Sequence, residues 1–165
     1  MSQTQIERLL DILVQGKVEF VVIGGWAAIA HGSAYLTFDT DFCYSRSSEN
    51  IRRLCGALDT LHPYLRGVEK GLPFRFDFKT VESGLNFTLV TDLGDVDLLG
   101  EVAGLGSFDR VADDSEKMEL FGFQVRVLTL EALIRAKRAA GRPKDLNALP
   151  ELEALLELKK RQSKI

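Results

Sequence analysis

The stretch that most constrains this chain runs from Phe20 to Phe42 and reads F-V-V-I-G-G-W-A-A-I-A-H-G-S-A-Y-L-T-F-D-T-D-F. An apolar run, Val18 to Ile23, stops at Gly24-Gly25 and gives way to small residues with helical character, Trp26 to Ala30. A strand that empties through two glycines into a helix is a phosphate-binding geometry. Glycine lets the backbone turn tightly, and the helix start aims unpaired N–H groups at an anion. Asp39-Thr40-Asp41 follows, set in a strand-favouring run with Phe38, Phe42 and Tyr44. Residues i and i+2 of a strand share a face roughly 6.6 Å apart, so the two carboxylates address one volume. Crowded anions of this kind hold a proton unless a divalent cation neutralises them.

Gly24-Gly25 followed after one short helix by D-x-D resembles the nucleotidyltransferase superfamily related to DNA polymerase beta. Its pattern is h-G-[GS], then D-x-[DE], then a third carboxylate on a strand. Within it the chain is similar to small stand-alone bacterial and archaeal transferases, including toxins of the AbiEii type. Leu133 to Asp145, L-I-R-A-K-R-A-A-G-R-P-K-D, resembles their late helix and basic turn. One position departs: those relatives often carry arginine two residues before the threonine preceding D-x-D, and here Tyr35 stands there.

The resemblance implies an α/β (α+β) nucleotidyltransferase fold, a mixed twisted sheet with helices packed on it and a helical C-terminal segment over 129–165 of a single 1–165 domain. It implies transfer of an NMP from an NTP such as ATP to an acceptor hydroxyl, with release of pyrophosphate and with Mg²⁺ (or Mn²⁺) as cofactor. Asp39, Asp41 and a third acid would hold metal. Gly24, Gly25 and Ser33 would face phosphate, and Lys137, Arg142 and Lys144 would offset triphosphate charge. RNA, protein or a small molecule remain open as acceptors. A toxin–antitoxin enzyme with a cognate antitoxin is one expectation. A non-catalytic nucleotide-binding partner, favoured by Tyr35, and an antibiotic adenylyltransferase, because G-G-W also occurs there, are the alternatives.

Spacing alone lets either Asp95 or Asp97 be the third acid, since both fall on one strand face. Asp97 lies among Val96, Leu98 and Leu99, where an unpaired carboxylate is expensive and metal would offset the cost, whereas Asp95 beside Gly94 reaches water and needs no partner. The resemblance agrees with Asp97, because the family's third acid has an apolar strand context. Asp92 falls in a hairpin turn between strands over 86–90 and 95–99.

The remaining chain reads more plainly. Ile6, Leu9, Leu10 and Leu13 predict an amphipathic helix over 4–15, and Ser47 caps another whose stripe is Ile51, Leu54, Cys55, Leu58 and Leu61. Phe74, Phe76 and Phe78 alternate with Arg75 and Asp77, which predicts a short strand, although 64–84 is the least readable segment. A glycine-containing loop with one helical turn is expected over 101–114, and a strand or hairpin broken at Gly122 over 119–127. Thr129 caps a helix with the stripe Leu130, Leu133, Ile134. Lys137 takes the next stripe position, so it either snorkels to water or reaches a site. Gly141 closes that helix, Pro143 opens another, and Pro150 starts a last short one.

His31 reads as a capping or solvent-facing histidine with phosphate contact as the alternative, His62 as a helix terminator, and Trp26 as core. At 165 residues, 45% hydrophobic and 27% charged, the composition is that of a soluble globular domain. No apolar run approaches a membrane span, and M-S-Q-T-Q has no signal-peptide shape, which predicts a cytoplasmic protein without membrane contact. Cys43 and Cys55 have no metal spacing and read as small hydrophobes. The net charge of −3 hides a division: residues 131–165 hold nine Lys/Arg against five Asp/Glu, leaving twelve against nineteen for 1–130.

Overall fold

A computed structural model describes residues 2–37 and 39–164. Phe38, expected in the strand of the aspartate pair, lies outside the described residues. The elements in chain order are α1 (Gln3–Gln15), β1 (Phe20–Ile23), α2 (Gly24–Ala30), β2 (Asp39–Tyr44), α3 (Ser48–Asp59), β3 (Tyr64–Leu65), α4 (Phe78–Ser83) and β4 (Asn86–Thr91). They continue with β5 (Gly94–Leu99), β6 (Glu101–Val102), β7 (Gly106–Ser107), α5 (Phe108–Asp113), β8 (Ser115–Leu120), β9 (Phe123–Leu128), α6 (Leu130–Ala140) and α7 (Pro143–Gln162).

Seven strands form one mixed sheet in the order β3-β4-β5-β2-β1-β9-β8, with β2 in the middle. β1 runs antiparallel to β2 and parallel to β9, and β2 runs parallel to β5. Alternation along β2 sends Thr40, Phe42 and Tyr44 to one face, where all are buried, and Asp39, Asp41 and Cys43 to the other. All four residues of β1 are buried, so both faces of the sheet are covered there. β4 is different: Phe87, Leu89 and Thr91 are buried while Asn86, Thr88 and Val90 are exposed. Register places Thr88 opposite Asp97, so the face that carries the acids is open toward this edge.

The helices form for local reasons. Ser2 and Gln5 make a reciprocal capping box for α1, whose Ile6, Leu9, Leu10 and Leu13 stripe is at most 1% exposed. Ser47 accepts from Asn50 N–H to start α3, and Thr129 accepts from Ala132 N–H to start α6. Gly141 ends α6 in the left-handed conformation, and α7 then packs back along α6. None of the helices among the described residues is long and apolar enough to cross a membrane.

Three expectations are corrected. Residues 74–78 are not a strand: the Asp77 side chain accepts from Thr80 N–H at 3.0 Å and starts α4 at Phe78. Phe76 turns inward, edge-on to Phe87, while Phe78 lies under the Arg52 guanidinium, so the aromatic alternation serves two contacts instead of one sheet face. Pro150 does not start a helix but sits inside α7, which continues from Pro143 to Gln162. The Leu146 carbonyl loses its i+4 donor there, and Leu146 is 48% exposed, which leaves that carbonyl able to turn to water. The 101–114 segment contains the small β6–β7 ribbon as well as a helical turn.

Candidate active site

The chain leaves β1 directly beside the aspartate pair. Antiparallel register sets Ile23 opposite Asp41, and the next residue, Gly24, turns with φ +65. A Cβ at Gly24 would stand 2.0 Å from Asp41 Oδ2, and one at Gly25 would stand 2.6 Å from Thr37 Oγ1. Glycine is therefore required twice at 24, by backbone conformation and by the approach of the carboxylate.

Parallel register then supplies a third acid. Asp39 lies opposite Asp95 and Asp41 opposite Asp97. Oxygens of Asp39, Asp41 and Asp97 all fall within 4.8 Å of one another. Burial pushes the Asp41 carboxyl up to about 7, and the charges of Asp39 and Asp97 with an Asp97 hydrogen bond push the same way, while Lys137 pulls it down. Burial is the largest cause, and the neighbouring acids add to it with only Lys137 opposing them. Three carboxylate oxygens converging this closely suit a hard divalent cation, whose octahedral oxygen ligands stand from about 3.0 Å (adjacent) to about 4.2 Å (opposite) apart.

The folded value of Asp41 lies above the unfolded value of 3.8, so the stability contributed by the neutral acid is complete below the unfolded value and is lost as pH rises through about 7. In metal-free buffer the melting temperature is expected to fall by about 5 °C between about pH 5.5 and about pH 8, from roughly 2 kcal/mol of linkage. Calorimetry on Asp41→Asn checks it, because that part of the fall disappears in the variant.

Two cations stand near the acids, Lys137 in the last turn of α6 and Arg142 at the start of α7. Lys137 Nζ is 3.3 Å from Asp145 Oδ1, and Arg142 Nε is 2.6 Å from Asp145 Oδ2. Asp145 is 1% exposed. Burial would raise its carboxyl, but the hydrogen bonds and charges of Arg142 and Lys137 outweigh it and hold it below the usual range. Arg142 is itself held above its usual value, chiefly by its bond to Asp145 against the opposing effect of burial, with further help from the charges of Asp145, Asp41 and Asp97. Lys137 is thus neither simply snorkelling nor free: a buried carboxylate holds it while it acts on Asp41. Lys144 is exposed and takes no part in the Asp145 contacts.

Ser33, expected on phosphate, donates instead to Glu151 Oε1 at 2.5 Å, and the Ala34 N–H donates to Glu151 Oε2 at 3.1 Å. Those bonds tie the loop before the aspartate pair to α7. Tyr35, in that loop, is 65% exposed. His31 caps α2 and its Nε2–H donates to the Leu128 carbonyl at 2.8 Å, a structural role. Trp26 is buried edge-on against Phe121. Burial pushes the Cys43 thiol up to about 12 and the Cys55 thiol up to about 11, so neither is a nucleophile near neutral pH.

One participant has no forewarning in the motifs. Arg66, just past β3, donates from Nη2 to Asp97 Oδ1 at 2.7 Å and sets Nε 3.2 Å from Asp95 Oδ2. The second contact is one of charge, without hydrogen-bond alignment. Asp95 therefore has a partner, contrary to the expectation that water alone would serve it. The signal available in the sequence is the Asp95/Asp97 pair itself, since two acids on one face ask for a cation.

The fold of the whole chain recurs in solved structures. A lincosamide antibiotic adenylyltransferase, LnuA, with lincomycin bound, superposes with a TM-score of 0.63 at 13% identity over 94% of this chain and 98% of its own. The chain has the nucleotidyltransferase fold. The antibiotic-resistance factor ANT(2'')-Ia, in complex with adenylyl-2''-tobramycin, shares it with a TM-score of 0.57 at 16% identity, covering 98% of both chains. So does a Thermotoga maritima protein assigned to the nucleotidyltransferases, with a TM-score of 0.52 at 17% identity over 97% of this chain and 91% of that one. No protein-family model and no curated protein matches the chain.

Proposed function

We propose that this protein is a divalent-metal-dependent nucleotidyltransferase that moves an NMP from an NTP to an acceptor hydroxyl and releases pyrophosphate. The observation that carries the reading is the cluster of Asp39, Asp41 and Asp97 within 4.8 Å, beside the Gly24 turn and within electrostatic reach of Lys137 and Arg142.

Asp39, Asp41 and Asp97 would hold Mg²⁺ or Mn²⁺. When bound, the cation neutralises the acids, lowers the pKa of an acceptor hydroxyl and offsets charge on the leaving pyrophosphate. The backbone N–H groups at Gly24 and Gly25 would face the triphosphate, while the missing Cβ atoms make room for Asp41 and Thr37. Lys137 and Arg142, held by Asp145, supply positive charge to the phosphates. Lys144 is a peripheral contributor, and Ser33 contributes once Glu151 releases it.

Two classes of acceptor have separate support. The resemblance to AbiEii-type toxins supports RNA or protein, with a cognate antitoxin as partner. The match in fold and chain length to LnuA and ANT(2'')-Ia supports a small hydroxylated molecule. The test incubates the protein with each α-labelled NTP, with Mg²⁺ or Mn²⁺, and with total RNA, cell protein, a lincosamide or an aminoglycoside in parallel. Label is expected in one acceptor fraction and lost with EDTA or in Asp39→Asn. Nucleotide binding without label in any fraction would favour the non-catalytic partner instead.

A further inference from the structure

Four carboxylates occupy one face of two neighbouring strands, Asp39 and Asp41 on β2 and Asp95 and Asp97 on β5. Register makes them two rows: Asp41 opposite Asp97, and Asp39 opposite Asp95. Geometry alone gives Asp95 a place beside Asp39 comparable to that of Asp97 beside Asp41. Yet only Asp97 joins the cluster of three.

The difference is a side chain from the edge of the sheet. Tyr64 pairs with Val90 and Leu65 with Leu89, so Arg66 comes next against Thr88, and its N–H donates to the Thr88 carbonyl at 2.9 Å. Thr88 in turn lies opposite Asp97. Arg66 therefore lies in the same row as Asp97, two strand spacings or about 10 Å away, and its side chain spans the gap over β4. It is 29% exposed, and Nη2 also donates to the Leu89 carbonyl at 3.0 Å, which fixes the guanidinium plane. From that position Nη2 holds one oxygen of Asp97, and Nε faces Asp95.

We propose that Arg66 is the positioning residue that assigns the third-acid role to Asp97 and withholds it from Asp95. Nη2 pins Oδ1 of Asp97 and leaves its remaining coordinating capacity for the cluster with Asp39 and Asp41. Nε neutralises Asp95, the more exposed of the two at 42% against 21%, and keeps it from joining its register partner Asp39. A guanidinium has the fork to do both at once, whereas an ammonium is a point charge that serves one carboxylate at a time. In this role Arg66 acts through the two acids. The inference rests on the metal-dependent reading above.

The test reads Mn²⁺ binding to the full chain without nucleotide, by the loss of the free-ion electron paramagnetic resonance signal, and so does not depend on turnover. In the wild-type background Asp97→Asn is expected to weaken Mn²⁺ at least tenfold and Asp95→Asn less than threefold. In the Arg66→Gln background, Asp95 is released, and adding Asp95→Asn is expected to weaken Mn²⁺ tenfold or more. Arg66→Lys keeps the charge without the fork and guards against misfolding of the Gln variant; in it Asp95→Asn is expected to cost at least fivefold. An arginine that merely anchors the edge strand would leave the Asp95→Asn effect the same in all three backgrounds, and that result would overturn the proposal while leaving the metal-dependent reading intact. Absence of Mn²⁺ binding in the wild type would overturn both.

Discussion

Asp97→Asn is expected to lower NMP transfer about a thousandfold while leaving the fold in place. The carboxamide keeps the shape of the side chain but loses one of three anionic oxygens that converge within 4.8 Å, and removal of a single group stabilising charge in a reacting centre costs on the order of 10² to 10³ in rate. Folding is spared for two reasons. Arg66 keeps Asp95 as an ionic partner, and the variant relieves part of the repulsion that raises the Asp41 carboxyl. The melting temperature in metal-free buffer should therefore stay within a few degrees of wild type. Asp95→Asn is expected to keep transfer within about tenfold, because Asp95 lies outside the cluster and against Arg66. Single-turnover assays and thermal melts on both variants check this pair. An inactive Asp95→Asn beside an active Asp97→Asn would mean that the roles are reversed.

The largest effect on stability is expected at Gly24. Alanine there must hold φ near +65 and place a methyl group 2.0 Å from Asp41 Oδ2. Each of these costs about 1 to 3 kcal/mol, the first as backbone strain and the second as overpacking, so Gly24→Ala should lose about 3 kcal/mol or more. Asp41 is half-buried, with Ile23 and Asp97 as its register partners on the neighbouring strands, so its carboxylate moves away from the added methyl group only by giving up its place in the acid cluster. Gly67→Ala is the control, with φ +77 but nothing within 4 Å of its Cβ, and should lose about 1 kcal/mol from strain alone. Urea unfolding of both variants measures the difference. Equal losses would show that crowding against Asp41 contributes nothing, and the glycine would then be a turn residue only.

What the sequence discloses follows the range over which each signal acts. The Val18 to Ile23 run, the Gly24-Gly25 break, the Asp pair, the Ser47 and Thr129 caps and the Gly122 turn are local patterns, and each corresponds to an element boundary in the fold. The convergence of Asp97 on the pair is legible only by resemblance, because it depends on β2 and β5 being neighbours although more than fifty residues separate Asp41 from Asp97. Arg66 escapes notice because β3 is two residues long and its guanidinium works across an intervening strand. Asp145 reads as one more charge in a basic turn, and only tertiary burial makes it the anchor of Lys137 and Arg142. In 74–78 the aromatic alternation imitates a strand, and the Asp77 cap, a three-residue signal, prevails over it.

The glycines at the start of α2 carry a second lesson about reading motifs. Gly24-Gly25 looks like a phosphate cradle, and its immediate physical reason is the packing of Asp41 and Thr37 against the turn. The two explanations are compatible, since the close approach that brings the carboxylate to the backbone also brings the acids to the helix start. Variants at Gly24 therefore test stability, and phosphate contact has to be read from substrate chemistry.

Following the phosphorus atoms tests the central claim most directly. The wild-type protein is given ATP labelled at the α-phosphate in one reaction and at the γ-phosphate in another, with Mg²⁺ and the acceptor fraction that takes label. A nucleotidyl transfer puts α label in the acceptor and γ label in pyrophosphate alone, and neither appears with Asp41→Asn. Appearance of γ label in the acceptor, or transfer undiminished in Asp41→Asn, would contradict it.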